Sequence, residues 1–534
     1  MMPDWHHRFE RAILRSTTGG AVLRRHILPL LVAVLLSIVV VHTYPYDNVV
    51  TRWALTRRLC DSGVLDIDRY GFLTNDKASA GGRCYCDKAV LLSIAAVPIC
   101  LASSALGAGE PDEPEGILVD PARFVSEKLL VGGCFLLLLL ALGSMTGGGI
   151  LPALALGLGS ILLPYSSLFY SHVPAAALLF TSFTLQTRGR YAPADITGAL
   201  ACALEFPVIV PFAVLLLYRR RASWSPSSAA RLTALMVLAF IPQLAHNWLA
   251  FGGPFRMGYS LESSTAFEGM TNGLFGFGAP NLRSLKMLTV SPERGLFFYM
   301  PWAAAGLAGF FTGRSFRETL RSDPGPLLVC IYVVLFSAYY MPSGGWAFGP
   351  RHLIPIIPFL ALGLDRFASA GSKRAFCAWL LVLPGILQAL VGLLGEVHQP
   401  VHPVEQPVPL PQWNIGIRMM LDGHHSLWLA GAAGSCVLAA SALLSWLIAG
   451  RKGMKPSAAG FVPIVLWAGL LLLVDTGWGG RIDYYRGALA GHRSEFGLAA
   501  GYYSAAARDP SAPPVVRELA GRYAALAKEA PGDD

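Results

Sequence analysis

Apolar runs long enough to cross a bilayer recur along this chain, and the short gaps between them are rich in arginine and lysine. The first run, HILPLLVAVLLSIVVVH, follows Arg8, Arg11, Arg15, Arg24 and Arg25. Later basic groups stand at 219–221 with Arg231, at Arg314, Arg317 and Arg321, at Arg366, Lys373 and Arg374, and at Arg451, Lys452 and Lys455. Between consecutive groups lie pairs of apolar runs: 232–252 with 295–313, 325–342 with 352–365, and 375–395 with 427–449. A last run covers 457–475. A basic cluster returning after each pair is the positive-inside pattern. The spacing therefore predicts an all-α polytopic membrane protein of about 13 spans, each of ~20 residues. No small-residue cleavage site follows the first run, so it is expected to remain as an anchor.

Composition agrees. The chain is 54% hydrophobic and 14% charged, whereas soluble domains average about 25% charged. The net charge of +9 sits in short loops between apolar runs, which argues against nucleic acid as a partner. The nine cysteines show no zinc spacing. If the first large loop is periplasmic, the residues leave open a disulfide from Cys60 to Cys84 or Cys86.

Charge sidedness also decides two ambiguous stretches. If 89–107 spanned and 195–218 were one helix, the acidic segment 108–127 would lie inside and Arg188 and Arg190 outside. The opposite bias is expected. Residues 89–107 should lie along or dip into the outer interface, and 195–218 should be two short helices broken at Glu205-Phe206-Pro207. The expected order is then a cytoplasmic N-terminus (1–26), a transmembrane region (27–395) with its first outer loop at 44–127, C-terminal spans and a loop (396–476), and a small helical tail (477–534). The tail segment PPVVRELAGRYAALAKEAP predicts a proline-started helix.

The polar chemistry concentrates on the outer side. Asp47 stands where the first span surfaces. Behind it, VVTRWALTRRL predicts an interfacial amphipathic helix. Val50, Trp53, Ala54 and Leu59 would face lipid, and Arg52, Arg57 and Arg58 the head groups. Asp76, Asp87, Lys88, His172, Arg256, Glu268, Glu293, Arg294, Arg351 and His352 are the other outer candidates, with Glu205 a carboxylate at membrane depth. No phosphate-binding loop or dinucleotide fingerprint is present, so an activated substrate would arrive from the lipid phase.

An acid just after the first span, a short interfacial helix, an SG turn and the CDKAVLL segment form one series. YSSLFYSHVPAAALLF, GALACALEFP, NWLAFGGPFRMGY, SPERGLFFYMP and SGGWAFGPRHLIPIIPFLALGL follow in order. Over residues 27–395 the chain resembles the polyprenyl-phosphate-dependent glycosyltransferases of the GT-C fold, a superfamily that includes protein O-mannosyltransferases and lipid A aminoarabinose transferases, in a bacterial family 39-like branch. The resemblance implies an inverting transfer of sugar from a polyprenyl-phosphate donor to an acceptor hydroxyl, on a glycolipid, a polysaccharide or a protein. The site would face the periplasm from the bacterial inner membrane. It implies Asp47 as general base; the plainer reading of Asp47 is a cap on a helix starting at Val49 or Val50. It implies Lys88, and with it Arg58 and Arg351, as cations on the lipid phosphate. Asp87, His172, Glu205 and His352 are possible substrate-binding residues. The chain departs from the family where Asn48 replaces a frequent second acid and where no prolines follow Lys88. No metal or other cofactor is therefore expected to be required. Two other classes compete: a transporter or flippase of lipid-linked sugars, and a catalytically inactive scaffold of this fold.

Overall fold

In the computed structural model the described residues are 32–40, 42, 47–219, 224–262, 265–291, 293–345, 347–394, 496–510 and 514–529, with a few positions between 483 and 491. The runs 427–449 and 457–475, and positions 27–31, 41 and 43 of the first run, lie outside them. The described chain is mostly helical. Among its residues, four helices are long and apolar enough to cross a membrane: Pro121–Met145, Pro226–Phe251, Arg351–Ser369 and Ser372–Leu394. A fifth span results if Phe316–Ser322 and Gly325–Ser337, bent by 86°, count as one. Such lengths follow from a rise of about 1.5 Å per residue across a hydrocarbon core of about 30 Å.

The elements used below are α1 (Asp47–Ser62), β1 (Ala78–Ala80), β2 (Arg83–Tyr85), α2 (Leu91–Ala105), α3 (Pro121–Met145), α4 (His172–Thr187), α5 (Tyr191–Leu204), α6 (Ile209–Leu217), α7 (Pro226–Phe251), α8 (Trp302–Phe310), α9 (Gly325–Ser337), α10 (Arg351–Ser369) and α11 (Ser372–Leu394). β1 and β2 form a small antiparallel hairpin in the first loop. Helices α8 and α10 touch backbone to backbone. A Cβ on Gly309 or on Gly363 would collide with a main-chain oxygen of the other helix, the small-residue contact that lets membrane helices approach closely.

The break at Glu205 occurs as expected. Helix α5 ends at Leu204, Glu205 is extended, and α6 starts at Ile209. Pro207 has no N–H to continue the helix. The two halves turn back on each other, because Arg219, just past α6, pairs at 2.8 Å with Asp195 near the start of α5. Arg188 and Arg190 thus share an end with Arg219, as charge sidedness predicts. Helix α2 has 15 residues, too short for a perpendicular crossing at the same rise. In the tail, Pro514–Glu529 is a helix that starts at the expected proline, beside Phe496–Arg508.

Two expectations fail. α1 is not an interfacial helix with one face in lipid. Val50, Trp53 and Ala54 are buried within the protein, and so are Arg52 and Arg57. Arg57 donates to Asp120 at 2.6 Å, and Trp53 Nε1 donates to the same carboxylate at 2.7 Å. A buried cation needs a partner, and Asp120 supplies one from a segment 63 positions away. Nor is Cys60 bonded to Cys84 or Cys86, since all three thiols are free. Cys60 lies beside Ser104 at the end of α2, while Cys84 belongs to the hairpin and faces Gly71.

Candidate functional site

Asp47 opens α1, half-buried, and its carboxylate reaches across to the 74–76 turn. Asp47 Oδ1 accepts from the Asn75 N–H at 2.6 Å, and Thr74 Oγ1 donates to the Asp47 carbonyl at 3.0 Å. Thr74 Oγ1 also accepts from the Asp76 N–H at 3.1 Å, so one turn fixes two carboxylates together. Lys88 Nζ lies 3.1 Å from Asp76 and 2.5 Å from Asp87, and all three residues are buried. The rings of Tyr259 and Phe267 close over the ammonium at 5.6 and 5.9 Å, a cation–π arrangement.

Burial, then the nearby charge of Asp76, pushes the Asp47 carboxyl up to about 6, while the Asn75 N–H, Thr74 and Lys88 pull against that rise. Asp87 is likewise pushed up to about 6, first by burial, with Lys88 opposing and Asp76 adding to it. For Lys88, burial acts to release the proton. Asp76 and Asp87 outweigh it and hold the ammonium well above the usual lysine range. These are the three ordinary causes of a shift, desolvation, neighbouring charge and hydrogen bonding, acting within one cluster.

A second group of side chains joins this one from four further segments. Arg351, at the start of α10, donates to the Tyr170 hydroxyl at 3.2 Å. The Tyr170 ring stacks on His172 at 5.5 Å, and His172 Nδ1 contacts Glu205 at the α5 break. His352 stacks on Phe336 at 4.8 Å and meets His172 edge-on at 6.1 Å. Tyr339 spans the two groups. Its ring meets His352 edge-on at 5.4 Å, and the charges of Lys88, Arg351 and Asp76 all reach its phenol. Tyr170, raised mainly by burial, also feels Arg351, Asp76 and Asp47.

Of the expected site residues, the fold brings together Asp47, Asp87, Lys88, His172, Glu205, Arg351 and His352. It does not bring in Arg58, which pairs at 2.9 Å with Asp66 and shares it with Arg83. Arg294 is fully buried and donates to the carbonyls of Ser343 and Gly345, a loop-holding role. Arg256 donates to the Phe251 carbonyl. The side chain of Glu268 lies outside the described residues. Asp76 turns out to be central, and Tyr170, Tyr259 and Tyr339 were missed by sequence reasoning. Tyr170 falls in the quoted YSSLFYSH segment, which was the available signal.

The cations differ in what they have left to offer. Lys88 is held by two carboxylates and Arg58 by one. Arg351 has a neutral phenol, and its Nε, like Asp87 Oδ1 and His352 Nε2, is a buried atom without a hydrogen-bond partner among the described residues. Buried polar atoms are normally satisfied, so these three retain hydrogen-bonding capacity within the cluster. No group of three His, Cys, Asp or Glu residues among those described is arranged around a common metal position. A cavity of about 740 Å³ lies at the opposite end of the bundle, not at this cluster. Comparison with known proteins finds no matching family model, no similar curated protein and no similar solved structure.

Proposed function

We propose that the chain is an integral-membrane inverting glycosyltransferase that moves a sugar from a polyprenyl-phosphate donor to an acceptor hydroxyl. In this reading the spans form a GT-C-like bundle of about 13 helices in a bacterial inner membrane, and the cluster faces the periplasm. The observation that carries the reading is the meeting of Asp47, from the first loop, with Asp76, Asp87, Lys88, Tyr170 and Arg351 in one polar cluster. Perturbed carboxyls beside cations and orphaned polar atoms are the pattern expected of a working site.

The step needs a base, an electrophile and a stabilised leaving group. Ionised Asp47 takes the proton of the acceptor hydroxyl. The hydroxyl oxygen bonds to the anomeric carbon as that carbon's bond to the phosphate oxygen breaks. Polyprenyl phosphate leaves with the electron pair, and attack opposite to it inverts the configuration. The charge growing on the leaving phosphate falls to Arg351, whose planar fork suits phosphate oxygens and whose charge no carboxylate takes up at contact distance among the described residues. Lys88 holds Asp76 and Asp87 in position, and what remains of its field adds to that of Arg351. Tyr259 and Phe267 keep the Lys88 ammonium in place with their ring faces.

The test is transfer of labelled sugar from a panel of polyprenyl-phosphate sugars to native membranes, with wild type and Asp47→Asn. Loss of roughly 10²- to 10⁴-fold in rate, the usual contribution of a positioned base, is expected with no fall in melting temperature. An active panel member together with a fully active variant would remove Asp47 from the chemistry. No transfer from any donor would move the transporter and scaffold readings ahead.

A further inference from the structure

The cavity at the other end of the bundle is built from the ends of several helices, and it differs in kind from the polar cluster. Its walls include Phe183 of α4, Leu215 of α6, Phe310 of α8 and Leu362 of α10, all nearly or fully withdrawn from solvent. At about 740 Å³ it falls within the usual range of about 300–1,000 Å³ for ligand sites. Two of the charged pairs at its rim are already satisfied, Arg219 with Asp195 and Arg366 with Asp323. Two other charges lining it have no ion-pair or hydrogen-bond partner among the described residues: the half-buried carboxylate of Asp365 and the exposed guanidinium of Arg314. Gly149 lets the Asp365 carboxylate lie against the chain, because a Cβ there would come within 2.8 Å of Asp365 Oδ1.

Asp365 feels the neighbouring Arg366, and Arg314 acts on Glu318, but neither is met at contact distance among the described residues; an anion and a cation open to contact beside an apolar wall describe a ligand with the complementary set. We propose that this cavity holds the head group of a zwitterionic aminophospholipid, with its ammonium on Asp365, its phosphate on Arg314 and the start of its acyl chains along the apolar wall. A primary ammonium has N–H groups for a carboxylate to accept, and a quaternary ammonium has none. A lipid carrying only the phosphate charge leaves Asp365 beside an uncompensated anion. The apolar wall selects a membrane lipid over a soluble phosphoethanolamine of the same charge. The site is separate from the proposed sugar transfer and stands or falls without it.

The experiment uses the full chain, purified in detergent and stripped of lipid. Binding of phosphatidylethanolamine, phosphatidylcholine and phosphatidylglycerol is measured by native mass spectrometry and thermal shift, with free phosphoethanolamine as competitor. Phosphatidylethanolamine is expected to bind roughly tenfold more tightly than the other two, the scale of one hydrogen bond to a charged group, and free phosphoethanolamine is expected not to displace it. Asp365→Asn should remove that preference. Arg314→Gln, at an exposed position that leaves the fold intact, should weaken all three lipids by a similar factor. Equal binding of the three lipids by wild type, or a preference that survives Asp365→Asn, overturns the ammonium contact. Unchanged binding in Arg314→Gln overturns the phosphate contact. Displacement by free phosphoethanolamine overturns the lipid and assigns the cavity to a soluble zwitterion.

Discussion

Helices α4 and α10 each have one end in the polar cluster and the other in the cavity. His172 and Arg351 stand at one end, and Phe183, Leu362 and Asp365 at the other, roughly 20 Å away along α10 at 1.5 Å per residue. At the cavity end most charges are matched at contact distance, Arg366 with Asp323 and Asp195 with both Arg219 and Arg231. At the cluster end Lys88 carries two carboxylates, Asp47 is a third nearby, and Arg351 has only a phenol. A matched buried pair needs no explanation beyond holding helix ends together. An unmatched set in the same low dielectric is costly, and the carboxyls answer by shifting toward neutrality. The contrast is the reason the proposed transfer is assigned to the cluster end and the proposed lipid to the cavity end.

That contrast can be broken at Lys88 most severely. Lys88→Ala leaves Asp76 and Asp87 buried without their cation and should destabilise the fold by about 3–5 kcal/mol, read from denaturant unfolding in detergent. A loss below about 1 kcal/mol would mean the carboxylates are already protonated. Next in size, Arg351→Ala should slow sugar transfer by roughly a hundredfold, as loss of a transition-state cation does, with little change in melting temperature. A smaller, purely structural effect is expected at Gly363. There an alanine forces α8 and α10 apart against a main-chain oxygen and should cost about 1–3 kcal/mol, disturbing cluster and cavity together.

The smallest effect is the most diagnostic in sign. Asp47 and Asp87 titrate near 6 in the fold, above their ordinary value of 3.8. The folded protein therefore binds these protons more tightly than the unfolded chain, and stability contributed by their protonation is lost as pH rises through 6. Melting temperature should rise as pH falls from 7 to 5, while transfer slows below about pH 6 because the base takes up its proton. Stability and rate falling together on acidification would contradict the raised carboxyls.

Sequence reasoning reached the elements where a single local rule applied. The α5–α6 break could be read from Pro207, while Asp47, Lys88 and Arg351 were singled out by charge beside apolar runs together with the family resemblance. It misread α1 because an alternation of arginines and apolar residues fits lipid and head groups as well as it fits a buried helix with distant acids. Nothing near Arg57 announces Asp120, 63 positions on. The tyrosines of the cluster were hidden for a related reason: an aromatic residue beside an apolar run has no distinguishing neighbour in the chain.

The sequence by itself determined a mostly helical chain, long apolar helices, the turn at Glu205 and which charges share an end. Each of these follows from hydrogen-bonding, helix length or charge placed within a few residues. Only the tertiary structure decided which cation is left unmatched. Lys88, Arg58 and Arg351 are alike as letters, and they differ because Asp76 and Asp87 fold onto the first, Asp66 onto the second and a phenol onto the third. The effective charge of a buried group depends on what surrounds it in space, and that is set by contacts the order of residues does not state.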